Sequence, residues 1–353
     1  MTDLFIKVKV QQQQQLPFVL YCKPNSDRIV GLFQKNDHLY FLENFKETGF
    51  VFAPFDGDAI PYIPQKYSDV LVEKVTISDF YVETIITDST DEQAKNTFES
   101  LVRKGLEAIK NNQFQKVVLS RKELVDLIDY DLETVFKKLI YNYPSAFNYC
   151  FYHPKIGIWF GATPEQFLKL NQKSLQTVAL AGTQVEGVSD KINWNEKEKV
   201  EQQLVTDFIT SGLVGKVDKL VVSSPYSVKA GNLWHIKTDL TATIKSKKAI
   251  GEIILALHPT SAVCGLPKEA AKAFILENEK YDREYYSGFL GELNIDLATF
   301  RTAQSDLFVN LRCMKIKGKV AELFVGCGIT AASIPGDEFL ETVNKSMTIK
   351  RVL

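Results

Sequence analysis

Cysteine is sparse and unpatterned in this 353-residue chain: Cys22, Cys150, Cys264, Cys313 and Cys327 are odd in number, scattered, and include no CxxC pair. That argues against a disulfide framework and against a zinc site, so reduced, mostly buried thiols are expected. Histidine is sparser still. His38, His153, His235 and His258 show no HExxH-like spacing, which disfavours zinc or iron. Net charge is also lacking: Lys+Arg 42 against Asp+Glu 43 leaves no electrostatic footprint for nucleic acid or an anionic membrane, and a small-molecule partner is expected. No run approaches the roughly eighteen apolar residues of a membrane span. The segment Met1 to Val10 mixes Asp3, Lys7 and Lys9 into its apolar residues, which is neither a signal peptide nor an anchor, so the cytoplasm is the expected location. No internal repeat of about 20 to 50 residues is visible, against a solenoid or propeller.

What is present is ordinary globular composition, 45% hydrophobic and 24% charged, enough for a sizeable core in one large domain or two. The first eighty-odd residues read as short strands, Phe18 to Cys22, Arg28 to Phe33, Leu39 to Leu42 and Phe50 to Phe52, separated by turn residues. Gln11 to Gln15 is too brief to argue a partner surface and reads as a solvated loop. A helix start near Ser89 to Asp91, followed by a stripe of Phe98, Leu101, Val102, Leu106 and Ile109, places a boundary near Thr87. Residues 1–87 then form a β-rich scaffold subdomain and residues 88–353 the catalytic region.

Beyond the boundary, a strand beginning at Lys116 precedes a helix from Asp131 to Tyr143 that Pro144 stops. His153-Pro154-Lys155 joins two strands as a hairpin, and the second runs into Gly161-Ala-Thr-Pro-Glu165. Short connections of this kind imply antiparallel pairing, not a Rossmann pattern. Helices are expected from about Asn193 to Ser211, Ala249 to Leu257, and Pro267 to Asn278; a strand from Phe308 to Ile316 carries Arg312 inside an apolar run, where a charge needs a partner.

Two acid pairs stand out. Glu198 and Glu201 are three apart on one predicted helix; Glu338 and Glu341 are three apart on another that opens at about Pro335, with Lys345 a turn beyond, after a strand containing Gly326 and Gly328. One reading is a pair of ordinary helices whose acids favour the positive end of the dipole. The other is a hard divalent ion, because Mg2+ takes a few carboxylates and completes its shell with water and substrate oxygens.

A series of motifs occurs together and in order: Lys116-Val-Val-Leu-Ser-Arg121, Gly161-Ala-Thr-Pro-Glu165, Leu180-Ala-Gly-Thr183, Leu233-Trp-His-Ile-Lys-Thr238, Leu257-His-Pro-Thr-Ser-Ala-Val-Cys-Gly265, Asp282-Arg-Glu284, Arg312-Cys313, Gly326-Cys-Gly-Ile329 and Glu338-Phe-Leu-Glu-Thr342. From roughly residue 91 onward, the chain resembles the chorismate-utilising enzymes, most closely the isochorismate synthase branch. The resemblance implies an α+β fold, a layered α/β/β/α sandwich with two packed, largely antiparallel sheets. It implies Lys116 as a general base that activates water, its pKa lowered, and Glu165 as a general acid that protonates the departing hydroxyl, its pKa raised.

By the same resemblance, Mg2+ held by Glu201 and Glu341, with Glu198 and Glu338 in support, takes the ring carboxylate of chorismate. Arg312, Lys345 and the backbone near Gly326 take the enolpyruvyl carboxylate. Gly182 and Thr183 lie along the ring, and His258, Ala262 and Val263 line the pocket; a satisfied structural histidine is the competing reading of His258. The amine-using anthranilate and aminodeoxychorismate synthases tend to lack the lysine and carry Pro-Ile-Ala-Gly-Thr or Pro-Ile-Lys-Gly-Thr where this chain has Val178-Ala-Leu-Ala-Gly-Thr183. The expected activity is therefore water addition, an isomerase without a glutaminase subunit, with menaquinone or siderophore supply as its context. Salicylate synthase is the alternative within the family, and a non-catalytic binding protein the alternative outside it. Ser287-Gly-Phe-Leu-Gly-Glu-Leu293 departs from the usual glycine-rich pattern.

Overall fold

The computed structural model describes residues 3–75, 91–128, 130–185, 192, 194–230, 233–246 and 249–353. Among them, two large sheets pack face to face. One has nine strands in the order Gly265–Leu266, Lys116–Asp126, Val320–Ile329, Cys313–Lys317, Gly157–Thr163, Phe147–His153, Phe18–Cys22, Arg28–Gln34 and Ser68–Lys74. The other runs Val217–Val222, Leu233–Ile244, Ser174–Val185, Gln166–Asn171, Gln304–Val309, Phe289–Leu293, Gly49–Phe52, Pro61–Pro64 and Tyr40–Phe41, with Tyr226–Ala230 as a tenth strand paired to Leu233–Ile244. Every pairing described is antiparallel, as the hairpin connections required.

Alternation along the strands makes the layers. Val19 and Tyr21 face inward with Phe147, Tyr149 and Phe151, against Phe50, Phe52, Leu290 and Phe308 of the opposing sheet. Phe18, Leu20 and Cys22, on the other face of the same strand, pack under the helices Asp3–Gln13 and Leu132–Asn142. Both faces are buried, so these strands are apolar throughout rather than alternating with polar residues. Across the middle layer, Phe52 stacks on Phe151 with centroids 4.2 Å apart, and Phe147 on Phe308 at 4.4 Å. Each such buried ring contributes about 1.5–3 kcal/mol relative to exposure. Helices Glu92–Lys110 and Pro335–Lys350 cover the nine-stranded sheet; Glu196–Leu213 and Ala249–Leu257 cover the ten-stranded one. The layered α/β/β/α architecture is the one expected.

Several local expectations shift. The glutamine run is not a loop at its start: the helix Asp3–Gln13 runs into it, and Gln11 is buried, donating Nε2 to the carbonyls of Pro17 (3.0 Å) and Gln34 (2.9 Å). The expected strand Phe308 to Ile316 is two strands, broken at Asn310–Arg312, where the chain leaves one sheet for the other. Asp131 and Asp91 are N-caps, each accepting backbone N–H bonds. The helix placed from Asn193 begins at Glu196, and Asn193 lies outside the described residues. So does the boundary at Thr87; strands from residues 18–74 complete both sheets. Glu292, in the departing Ser287–Leu293 segment, is buried and held by Tyr21 Oη, Lys23 Nζ (2.5 Å) and the Leu297 amide (2.8 Å), tying the first strand to the second sheet. All five cysteines are buried and free. No helix among the described residues is long and apolar enough to cross a membrane.

Candidate active site

Two crossovers between the sheets create the site. Gly157–Thr163 belongs to the nine-stranded sheet and Gln166–Asn171 to the ten-stranded one, so Pro164 and Glu165 form the bridge. Gln304–Val309 and Cys313–Lys317 make the reverse passage, through Asn310, Leu311 and Arg312. The bridges lie side by side: Val309 N donates to the Glu165 carbonyl (2.9 Å), and Ala162 N to the Arg312 carbonyl (3.1 Å). Glu165 and Arg312 thus become neighbours through topology.

Arg312 occupies the left-handed region at φ 47°, uncommon for a residue with a side chain. Its half-buried guanidinium makes no hydrogen bond or ion pair among the described residues. Burial pushes it below its ordinary value, while the nearby carboxylates Glu341 and Glu165 act in the opposite sense. The Glu165 carboxyl keeps a partial opening toward solvent, yet surrounding protein desolvates it and pushes it up to about 7 despite the nearby cations Lys116, Lys345 and Arg312. A carboxylic acid in that range holds a proton to donate near neutrality.

Lys116 opens its strand and is buried, 7% exposed, with Nζ donating to Glu201 Oε1 at 2.7 Å. Its neighbour across the side chain is Gly328. A Cβ there would stand 3.1 Å from Lys116 Cε, so the missing side chain makes room for the lysine. The loop containing Ala262 and Val263 attaches at the same end: Gly265–Leu266 pairs with Lys116 and Val117, and Val118 N donates to the Cys264 carbonyl at 2.8 Å. Ala262 is half-buried, whereas the Val263 side chain belongs to the core.

The acid pairs lie on helices that cover opposite sheets. Glu198 is half-buried on the Glu196–Leu213 helix, and its Oε2 is enclosed without a hydrogen-bond partner among the described residues. Gly182, at φ 71° in a bulge of the Ser174–Val185 strand, lies against it; a Cβ would stand 3.1 Å from Glu198 Cβ. The Thr183 backbone pairs with His235, and its side chain lies outside the described residues. On the Pro335–Lys350 helix, burial raises the Glu338 carboxyl and the nearby Glu341 charge adds to it. Glu341 pairs with Lys345 at 2.6 Å, and Lys345 also donates to the Gly326 carbonyl at 3.0 Å. No three His, Cys, Asp or Glu side chains among the described residues converge closely enough to enclose a metal ion; Glu201 and Glu341 each hold a lysine. The all-carboxylate donor set and the orphaned Glu198 oxygen nevertheless suit a hard, oxygen-seeking cation.

His258 has no described contact with Lys116, Glu165 or Arg312. Its Nε2 lies 2.9 Å from the Pro54 carbonyl, its ring meets Phe167 and Phe289 edge-on, and burial lowers the imidazole to about 4.

Two neighbours escaped the sequence reading although each lies in or beside a quoted motif. His235 faces the group, with Nδ1 3.1 Å from the Gly182 carbonyl and its pKa lowered by burial and by the charges of Lys345 and Arg312. Tyr286 is buried, and its Oη lies 2.8 Å from where a Cβ on Gly326 would stand.

Residues 65–353 match the chorismate binding enzyme family. Isochorismate synthase EntC of Escherichia coli (strain K12) is 29% identical over 319 residues, covering 83% of this chain and 80% of its own. Anthranilate synthase component 1 of Thermococcus kodakarensis is 27% identical over 312 residues, 85% of this chain and 68% of its own. Among solved structures, MenF, the menaquinone-specific isochorismate synthase from Escherichia coli, aligns with a TM-score of 0.77 at 21% identity, covering 96% of this chain and 88% of that one. At that identity the likeness establishes the fold.

Proposed function

The chain belongs to the chorismate-binding enzyme family, and on that premise we propose that it is an isomerase converting chorismate to isochorismate. Water adds at ring carbon 2, the double bonds shift, and the hydroxyl at carbon 4 leaves as water, so atoms balance without a redox partner. Lys116 takes a proton from the incoming water, and Glu165 gives one to the departing hydroxyl. The observation that carries this reading is the convergence of a buried lysine on a carboxyl pushed up to about 7, beside an Arg312 without a partner among the described residues.

Arg312 grips the enolpyruvyl carboxylate through two parallel N–H bonds, with Lys345 and the backbone at Gly326 alongside. Gly182 and Thr183 lie along the ring, Ala262 and Val263 wall the pocket, and His258 supports that wall from behind. Glu201 and Glu341, with Glu198 and Glu338, would hold Mg2+, which when bound neutralises the ring carboxylate and fixes its orientation. Lys116 favours water over ammonia as the nucleophile, so no glutaminase subunit is required.

The test is chromatography of products after purified protein is incubated with chorismate and Mg2+. Isochorismate alone supports the reading. Salicylate with pyruvate would assign a second, eliminating step, anthranilate formed with ammonium would assign the amine branch, and unchanged chorismate would refute turnover.

A further inference from the structure

Asn310 lies two residues before Arg312 on the same crossover and is fully buried. Every hydrogen-bonding group it carries inward is used to grip one turn and one strand. Its Oδ1 accepts from Tyr149 Oη at 2.7 Å, and its Nδ2 donates to the Tyr285 carbonyl at 2.8 Å. Its main-chain N donates to the Gly288 carbonyl at 2.8 Å, and its carbonyl accepts from Ser287 N at 2.9 Å. The amide orientation follows from the partners, because a carbonyl must meet the NH2 end.

These bonds flank Tyr286. The carbonyl before it and the amide after it are both held by Asn310, while the Tyr286 ring stacks on Phe324 with centroids 5.7 Å apart. Arg312 follows on the other arm in a left-handed conformation that needs external support. Ser287, also left-handed at φ 63°, lies within the same grip. One residue, through its side chain at Tyr149 and Tyr285 and its main chain at Ser287 and Gly288, therefore ties together the two backbones that present Arg312 and Tyr286.

We propose that Asn310 is a positioning residue: the clamp it forms with Tyr149, Tyr285, Ser287 and Gly288 sets the placement of Arg312 and Tyr286 toward a bound carboxylate. This inference rests on the chorismate reading of the site. Because the misplaced group is an anion anchor rather than a proton carrier, the clamp acts on substrate affinity more than on the chemical step.

The experiment is steady-state kinetics of the full chain with Mg2+ and chorismate, with thermal melting in parallel, for wild type, N310A, Y149F, R312A and N310A/R312A. Asn310→Ala should raise KM about tenfold with kcat nearly unchanged, equivalent to about 1.4 kcal/mol of binding. Tyr149→Phe, which removes a single bond and keeps the ring, should raise KM less and melt close to wild type; it carries the test if N310A does not fold. In the R312A background, N310A should add little further change, because the anchor it positions is gone. Variants that lower the melting temperature while leaving KM at the wild-type value, or an N310A effect that multiplies fully with R312A, would overturn the clamp alone. Wild type inert toward chorismate in turnover and in calorimetric binding would instead overturn the functional reading and this inference with it.

Discussion

Lys116 Nζ lies 2.7 Å from Glu201 Oε1, joining the first residue of a strand in the nine-stranded sheet to a helix that covers the ten-stranded sheet. The ion pair spans the seam at which the two layers meet. It places an amine, a candidate metal-holding carboxylate and the Glu165 crossover in one small volume, so substitutions there should separate chemistry from folding.

Lys116→Ala should reduce isochorismate formation by about 10²–10⁴-fold, the usual range for losing a general base. Circular dichroism should be unchanged, because the half-buried Glu201 can regain water. Turnover that survived the substitution would remove Lys116 from its role.

Glu165 makes a prediction about pH in two directions. Its folded pKa of about 7 exceeds the ordinary 4.5, so the folded chain binds this proton more tightly than the unfolded chain. Stability from this group is greatest below about pH 4.5 and declines as pH rises toward 7, by a few kcal/mol at most. Glu165→Gln should therefore melt higher than wild type at pH 8, with the difference shrinking toward pH 4.5. The same variant should lose activity, and the wild-type rate should fall as pH rises past 7 and the acid deprotonates. Melting curves that differ by the same amount at every pH would contradict the assignment.

Arg312→Lys should not rescue substrate binding. A guanidinium offers a planar fork to a carboxylate and an ammonium offers a point charge, so both Arg312→Lys and Arg312→Ala should raise KM by an order of magnitude or more. A wild-type KM for the lysine variant would show that charge alone suffices.

The two glycines Gly326 and Gly328 of the Val320–Ile329 strand should fail differently. At Gly328 a methyl group meets only the movable end of Lys116, so Gly328→Ala should fold normally and lose kcat, about tenfold or more, through displacement of the amine. At Gly326 it would stand 2.7 Å from the Leu119 carbonyl oxygen, main chain that cannot step aside, so Gly326→Ala should lower the melting temperature. Measuring melting temperature and kcat for both variants checks the contrast.

Chelation should abolish turnover and added Mg2+ should restore it, while Glu198→Gln and Glu338→Gln should raise the Mg2+ concentration needed for half-maximal rate. The metal dependence of the intrinsic fluorescence provides a readout independent of turnover, and activity in excess EDTA would refute the metal assignment.

Local features were legible from residues close in sequence. The His153–Lys155 hairpin, the Asp91 and Asp131 caps, the Ala249–Leu257 helix and the i, i+3 acid pairs depend on turn chemistry and periodicity within a few residues. Gln11 was misread because its burial depends on carbonyls at Pro17 and Gln34, and the second lies at the far end of the first hairpin's second strand. The break at Asn310–Arg312 was invisible for a related reason: both arms are apolar, and nothing local says that they enter different sheets.

The sequence by itself determined the antiparallel hairpins, through strand patterning, and the family with the layered two-sheet fold it implies, through ordered motifs, because both are properties of the chain. Tertiary structure decided which of them meet. Lys116 and Glu201, 85 residues apart, become partners only when the layers close. Glu165 and Arg312 become neighbours only because two crossovers lie side by side. The raised Glu165 pKa and the lowered Arg312 pKa follow from desolvation at that seam, and desolvation is fixed by everything packed around a group rather than by its neighbours in sequence.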